Sequence, residues 1–187
     1  MLILDDESNV IAALRRLIRQ HYQNSLEVMA FVDPLEALDR VRDTAFNVVM
    51  SDFRMPAMTG LAFLEQVRLV QPHAIRMILS ASYDFDIIQK AVNDVEVFRY
   101  MAKPWDEREL LTQIQAGLDK STLGQQERAL ADAMRLQQGA MSPADLELKR
   151  LEEQEPGITV VDWGPNGEVI MPDGLLDSDI EPKTRRS

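Results

Sequence analysis

Cysteine is absent from the 187-residue chain, so disulfides and thiol chemistry are excluded and nothing suggests a secreted scaffold. No apolar run reaches the roughly 18 residues that a membrane-spanning helix needs. The N-terminus, MLILDDES, is apolar for four residues and then acidic. A secretory signal needs a basic start and a longer apolar stretch, so a cytoplasmic protein is expected. No basic run exceeds two residues, as at Arg15-Arg16 and Arg185-Arg186, and the net charge is −11. A duplex-binding protein neutralises phosphates with a basic surface, so nucleic acid is not expected as a direct partner. The acidic excess is read as solubility. What the chain has is apolar side chains, 45% of the total, enough for a real core.

From the start to about residue 120, short apolar runs alternate with amphipathic stretches. Residues 2–4 form a strand stub, short because only four residues precede Asp5. Ser8 or Asn9 can cap a helix carrying Val10, Leu14, Leu17 and Ile18 at helical spacing. Strands are predicted over 26–31, 46–51, 77–79 and 97–101, and helices over 59–70 and 84–92. Two further helices have strong starts: Asp33-Pro34 with Glu36, and Asp106 with Glu109. Strand–helix alternation with short loops predicts a doubly wound parallel α/β sheet with helices on both faces. Such a sheet binds its ligand at the carboxyl ends of its strands.

The character changes after residue 120. Residues 121–139 lack β-branched side chains apart from Thr122 and can continue the preceding helix without a break. Ser142-Pro143 starts another helix, Pro156-Gly157 breaks it, and Asn166-Gly167 between apolar runs signals a β-hairpin. The expected organisation is a first domain over 1–120, a helical extension over 121–155, a hairpin over 156–172 and a polar, flexible tail over 173–187. Leu123, Leu130, Met134 and Met141 either form a helix-pairing seam or lie on the domain itself. His21 and His73 sit among polar residues and read as surface histidines; Trp105 and Trp163 read as packing residues.

Asp5 and Asp6 end the first predicted strand and Asp52 the third. These strands are neighbours in a doubly wound sheet, so the three carboxylates should converge. Clustered carboxylates repel unless a cation lies among them or some are protonated. Mg²⁺, a hard dication bound by a few carboxylates plus phosphate oxygens, suits that set. Ser80 ends the fourth strand with a hydroxyl, and Lys103 follows the fifth with an ammonium, a point charge for phosphate. A nucleophilic carboxylate, a metal site, a hydroxyl and a cation together suit phosphoryl transfer to an aspartate.

Four segments carry a resemblance: Asp5-Asp6-Glu7, Ser51 through Gly60 (SDFRMPAMTG), Leu79-Ser80-Ala81, and Tyr100 through Trp105 (YMAKPW). In order, and at predicted strand ends, they resemble the receiver domain of two-component response regulators over roughly residues 1–120. The resemblance implies a flavodoxin-like fold with strand order 2-1-3-4-5. It implies Asp52 as phosphoacceptor, and Mg²⁺ bound by Asp5, Asp6, Asp52 and the Arg54 backbone carbonyl. Ser80 would be the switch hydroxyl, Tyr100 the switch aromatic and Lys103 the phosphate-binding lysine, and Pro104 matches a position that often follows a cis peptide. The phosphodonor would be a histidine kinase or a phosphotransfer protein. The output would pass through the face formed by the fourth helix, fifth strand and fifth helix, to a protein target or a homodimer. Val95 stands where relatives often carry glycine.

Two other functions compete. One is a Mg²⁺-dependent hydrolase working through an aspartyl phosphate, which usually carries a second acid two residues after the nucleophile; Arg54 occupies that position. The other is a DNA-binding regulator, for which the acidic tail offers no convincing recognition helix. The chain is therefore read as a signalling phosphoacceptor and not as an enzyme.

Overall fold

The computed structural model describes residues 1–23, 25–81, 95–156 and 158. The helix expected over 84–92 lies outside them, as do the polar tail and all of the hairpin strands but Ile158. Five strands, β1 (Leu2–Leu4), β2 (Met29–Phe31), β3 (Val48–Asp52), β4 (Ile75–Ser80) and β5 (Arg99–Ala102), pair in parallel in the order β2-β1-β3-β4-β5. The described helices are α1 (Ser8–Tyr22), α2 (Pro34–Asp43), α3 (Gly60–Val70), α4 (Glu107–Gln137) and α5 (Pro143–Gln154).

Alternation along each strand divides the core in two, because successive side chains leave opposite faces of a sheet. Leu2, Leu4, Val49 and Ile78 pack with Ala37 and Val41 of α2 and with Phe63, Leu64 and Val67 of α3. Ile3, Val48, Met50, Met77 and Leu79 pack on the other side with Leu14 and Ile18 of α1 and Leu110 and Ile114 of α4. Both faces are covered, which is why these strands read as nearly unbroken apolar runs.

Local chemistry moved some boundaries. The strand expected over 26–31 pairs only from Met29, because Met29 is the residue opposite Leu2. Neither Ser8 nor Asn9 caps α1. Glu7 occupies the cap position without a side-chain bond, and its N–H is taken at 3.0 Å by the Asp5 carboxylate, which closes the turn instead. Asp33, Thr59 and Asp106 do cap α2, α3 and α4. The position needing a glycine-like backbone is Glu96, with φ +54°, and not Val95. Val95 is buried in the core, so the reversal falls on the next, exposed residue. The Glu96 carboxylate lies 3.5 Å from buried Arg76 and 3.8 Å from Arg68, charges that help to hold a left-handed residue costing about 1 kcal/mol or more.

Helix α4 runs on past residue 120 without interruption. Gly117 lets it lie close to the sheet, for a Cβ there would stand 2.5 Å from Met77 Cε, and Asn47 Nδ2 donates to Ser121 Oγ at 3.2 Å. Farther along, α5 folds back onto it. Asp132, buried on α4, accepts hydrogen bonds from Lys149 of α5 and from Arg135, and Ser142 and Asp145 close a reciprocal cap at the start of α5. Leu123, Leu130 and Met134 are exposed on α4, so they do not lie on the domain.

Candidate functional site

The carboxyl ends of β1, β3 and β5 meet at one edge of the sheet. Asp52 is the last residue of β3, and Asp5 directly follows β1, its neighbour. Lys103 directly follows β5 and reaches back across the end of β4. Its ammonium donates to Asp5 Oδ2 at 2.7 Å and lies 2.5 Å from Asp52 Oδ1, with Glu7 Oε1 farther out at 3.9 Å. The Lys103 N–H donates to the Ser80 carbonyl at 2.8 Å, and the Lys103–Pro104 peptide is cis, as the resemblance implied. The second oxygen of each aspartate is also engaged. Asp5 Oδ1 accepts from the Glu7 N–H at 3.0 Å, and Asp52 Oδ2 accepts from the Arg54 N–H at 2.6 Å.

Asp5 is 1% exposed and Asp52 6%. Burial pushes the Asp5 pKa up, and the Asp52 charge adds to the push, against the opposing pull of Lys103 and the Glu7 N–H. For Lys103 burial works against its charge, but the hydrogen bonds and charges of Asp5 and Asp52 outweigh it and its pKa is raised. One ammonium thus serves two buried acids and does not fully offset the cost of ionising Asp5.

A sign follows from this. A carboxyl whose folded pKa is raised binds protons more readily folded than unfolded, so stability falls as pH climbs from its unfolded pKa through its folded one. Asp5→Asn is therefore expected to raise the thermal midpoint of the EDTA-treated protein at pH 7. The gain should disappear on acidification below the unfolded carboxyl pKa of about 4. Melts of both proteins across that range check it; an unchanged or lower midpoint at pH 7 contradicts it.

Of the residues singled out from the sequence, Asp5, Asp52 and Lys103 come together directly. Ser80 is buried at the end of β4, opposite Ala102 in register. Tyr100 is half-buried on β5 against the α2–α3 side of the core. Asp6 is exposed and makes no ion pair with Lys103. Arg54 has an exposed side chain, while its backbone N–H serves Asp52. Among the described residues no three acidic, histidine or cysteine side chains group as a ready metal site; the Lys103 ammonium stands between the two buried acids. The donors are nonetheless oxygens only, and burial leaves the ionised form of Asp5 incompletely compensated, which is the chemistry a hard dication takes up. His21 and His73 are both exposed, and Trp105 is partly buried beside α1 and α4.

Sequence reasoning gave no role to two buried polar residues at the base of the sheet. Gln71 donates to the Val41 and Thr44 carbonyls and accepts from the Phe46 N–H. Arg76 donates to the Val95, Pro72 and Ala74 carbonyls. Arg76, the second residue of β4 and directly before the apolar run 77–79, was the visible signal.

Comparison with known proteins agrees with this fold. The hydrogenase transcriptional regulatory protein HoxA of Cupriavidus necator is 28% identical over 149 residues, 80% of this chain and 27% of that protein. The cyclic di-GMP phosphodiesterase response regulator RpfG of Xanthomonas campestris pv. campestris is 32% identical over 111 residues, 59% of this chain and 29% of that protein. The chain thus spans between a quarter and a third of the length of these relatives. A signal receiver domain of an HD domain-containing protein from Pseudomonas fluorescens Pf-5 superposes with a TM-score of 0.60 at 26% identity, covering 65% of this chain and 94% of that one. The response regulator receiver domain matches residues 1–115, more than half of the chain. The chain therefore belongs to the response regulator receiver family, whose fold serves as a phosphoacceptor in two-component signalling.

Proposed function

We propose that Asp52 is the residue phosphorylated in this chain, within a receiver unit over residues 1–120 that acts in the cytoplasm. The observation that carries this reading is the Lys103 ammonium shared between the buried carboxylates of Asp52 and Asp5. An Asp52 oxygen attacks the phosphorus of a phosphohistidine on a kinase or phosphotransfer protein, and the bond to the donor nitrogen breaks. Lys103 already faces Asp52 and offsets the negative charge that arrives with the phosphoryl oxygens. Bound Mg²⁺ would supply further charge neutralisation, held by Asp5, Asp52, Asp6 and the Arg54 carbonyl.

Ser80 is the hydroxyl that moves to the phosphoryl group, and Tyr100 turns into the space this leaves. Phosphorylation shifts a two-state equilibrium only by its differential interaction with the two states. The β5 surface and the adjoining helix carry the change onward, and α4 is continuous with the extension over 121–155. The output is a protein contact, with a protein target or a second copy of the chain. The 149-residue match to HoxA is longer than the 115 residues of the family match, which supports an extension that works together with the receiver unit.

Incubation with acetyl phosphate and Mg²⁺ should add the mass of one phosphoryl group, lost on mild alkali as acyl phosphates are. Asp52→Asn should abolish the gain completely. Label retained in that variant, or none in the wild-type protein, overturns the assignment. Continuous release of phosphate from a small phosphomonoester would instead favour a hydrolase.

A further inference from the structure

The end of β3 contains a second buried arrangement, outside the set of groups already described. Ser51 is 0% exposed, and its hydroxyl donates at 2.8 Å to the carbonyl oxygen of Asp52. That oxygen faces the start of α3, where Gly60 is pressed against it. A Cβ on Gly60 would fall inside the van der Waals shell of the Asp52 carbonyl oxygen and 2.8 Å from Ser51 Oγ. The Gly60 N–H donates to the Phe53 carbonyl at 2.9 Å, and the Phe53 N–H to the Leu79 carbonyl at 3.3 Å. Both peptides that follow the Asp52 Cα are therefore held from the α3 and β4 sides.

We infer that Ser51 is a positioning residue for Asp52: by holding the Asp52 carbonyl against Gly60, its hydroxyl fixes the Asp52–Phe53 peptide and, through Phe53, the next peptide, whose Arg54 N–H meets the Asp52 carboxylate. The chain of contacts is short. The Asp52–Phe53 peptide includes the carbonyl that Ser51 holds, and two residues on, the Arg54 N–H meets Asp52 Oδ2 at 2.6 Å. That bond occupies one carboxylate oxygen and leaves Oδ1 facing Lys103. Rotation of the peptide would carry the Arg54 N–H off Oδ2, and the carboxylate would lose its fixed orientation. A hydroxyl that merely satisfied itself inside the core could use any nearby acceptor. This one uses the backbone of the proposed nucleophile, in space left by a missing side chain.

The functional part of the inference rests on Asp52 as phosphoacceptor; the geometric part does not, and the test separates them. Amide hydrogen exchange is measured by NMR on the full, metal-free chain, as wild type and as Ser51→Ala. Loss of a hydrogen bond of ordinary strength, about 1–1.5 kcal/mol, corresponds to about a tenfold change. Exchange of the Arg54 amide should therefore accelerate about tenfold in Ser51→Ala, with protection at Ile78 in β4 and Leu64 in α3 retained. With saturating acetyl phosphate, the rate of phosphoryl incorporation per folded molecule should also fall about tenfold. Unchanged Arg54 exchange overturns the inference, and so does equal acceleration at Ile78, which would mean a general loss of stability. Should the wild-type protein take up no phosphoryl group, the proposed function fails while the exchange measurement still decides the role of Ser51.

Discussion

Lys103→Ala is expected to destabilise the metal-free protein by roughly 3 kcal/mol at pH 7, the usual cost of removing one partner from a buried ionic group. The side chains involved are nearly closed off from water: Asp5 at 1%, Asp52 at 7% and Lys103 itself at 13% exposure. The ammonium is the cation both acids share, so its loss leaves two carboxylates at neighbouring strand ends that keep the backbone N–H groups of Glu7 and Arg54 but lose that charge. One acid will respond by binding a proton. Asp5 is the natural choice, because burial has already raised its pKa. Its folded pKa then rises further, so the deficit of the variant is largest at neutral pH and shrinks as pH falls toward the unfolded carboxyl value near 4. Mg²⁺ at a hundred times its dissociation constant should return about 2.7 kcal/mol by mass action if the dication enters the same site. Urea unfolding of the variant at pH 7 and pH 5, with EDTA and with Mg²⁺, checks each part. Equal stability of variant and wild type at pH 7 in EDTA would show that the two acids do not depend on Lys103. No recovery with Mg²⁺ would count against the metal proposal alone.

Those charges were legible in the sequence because they occupy strand ends, and strand ends follow from hydrophobic pattern. Asp5, Asp52 and Lys103 needed only the parallel order of β1, β3, β4 and β5 to bring them together. The course of α4 was legible for the same kind of reason, since no glycine–proline break interrupts residues 107–137. What pattern could not reach was anything fixed by a contact between distant backbone segments. Ser51 and Gly60 looked like ordinary motif letters until the helix start was placed against the strand end. The cap of α1 was misjudged because Asp5, an acid of the site, also closes the turn before the helix. The left-handed turn at Glu96 was not foreseen, because burial of Val95 decides which of two neighbours must turn, and burial is a property of the folded chain. The exposed Leu123, Leu130 and Met134 show the same limit: periodicity put them on one face, but could not say whether the domain covered it.

Gly60→Ala should lower stability by about 2–3 kcal/mol, although alanine is the better helix former by about 1 kcal/mol. Gly60 is the first residue of α3, and its backbone has no need of positive φ. The requirement is space. Besides Ser51 Oγ, the atoms that an added Cβ meets are the Asp52 carbonyl oxygen and, at 2.9 Å, its carbon, and these two decide the outcome. They belong to the main chain at the end of β3 and cannot swing aside as a flexible side chain does. Either α3 backs away from the sheet, loosening Phe63 and Leu64 in the core, or the Asp52 peptide turns and takes the Arg54 N–H with it. Gly124→Ala provides the opposite case. That glycine lies within α4, where the nearest obstruction is Arg128 Nη1 at 3.3 Å, the far end of a flexible side chain. There the helix preference should prevail and give a gain of up to about 1 kcal/mol. Two identical substitutions, both at helical positions, thus carry opposite signs because one neighbour is backbone and the other can move. Thermal melts of the two variants read this directly, with Gly60→Ala falling by roughly 10 °C at the usual scaling for a domain of this size. A Gly60→Ala protein as stable as wild type would mean that the helix start has room to shift, and the steric account of the Asp52 loop would then be wrong.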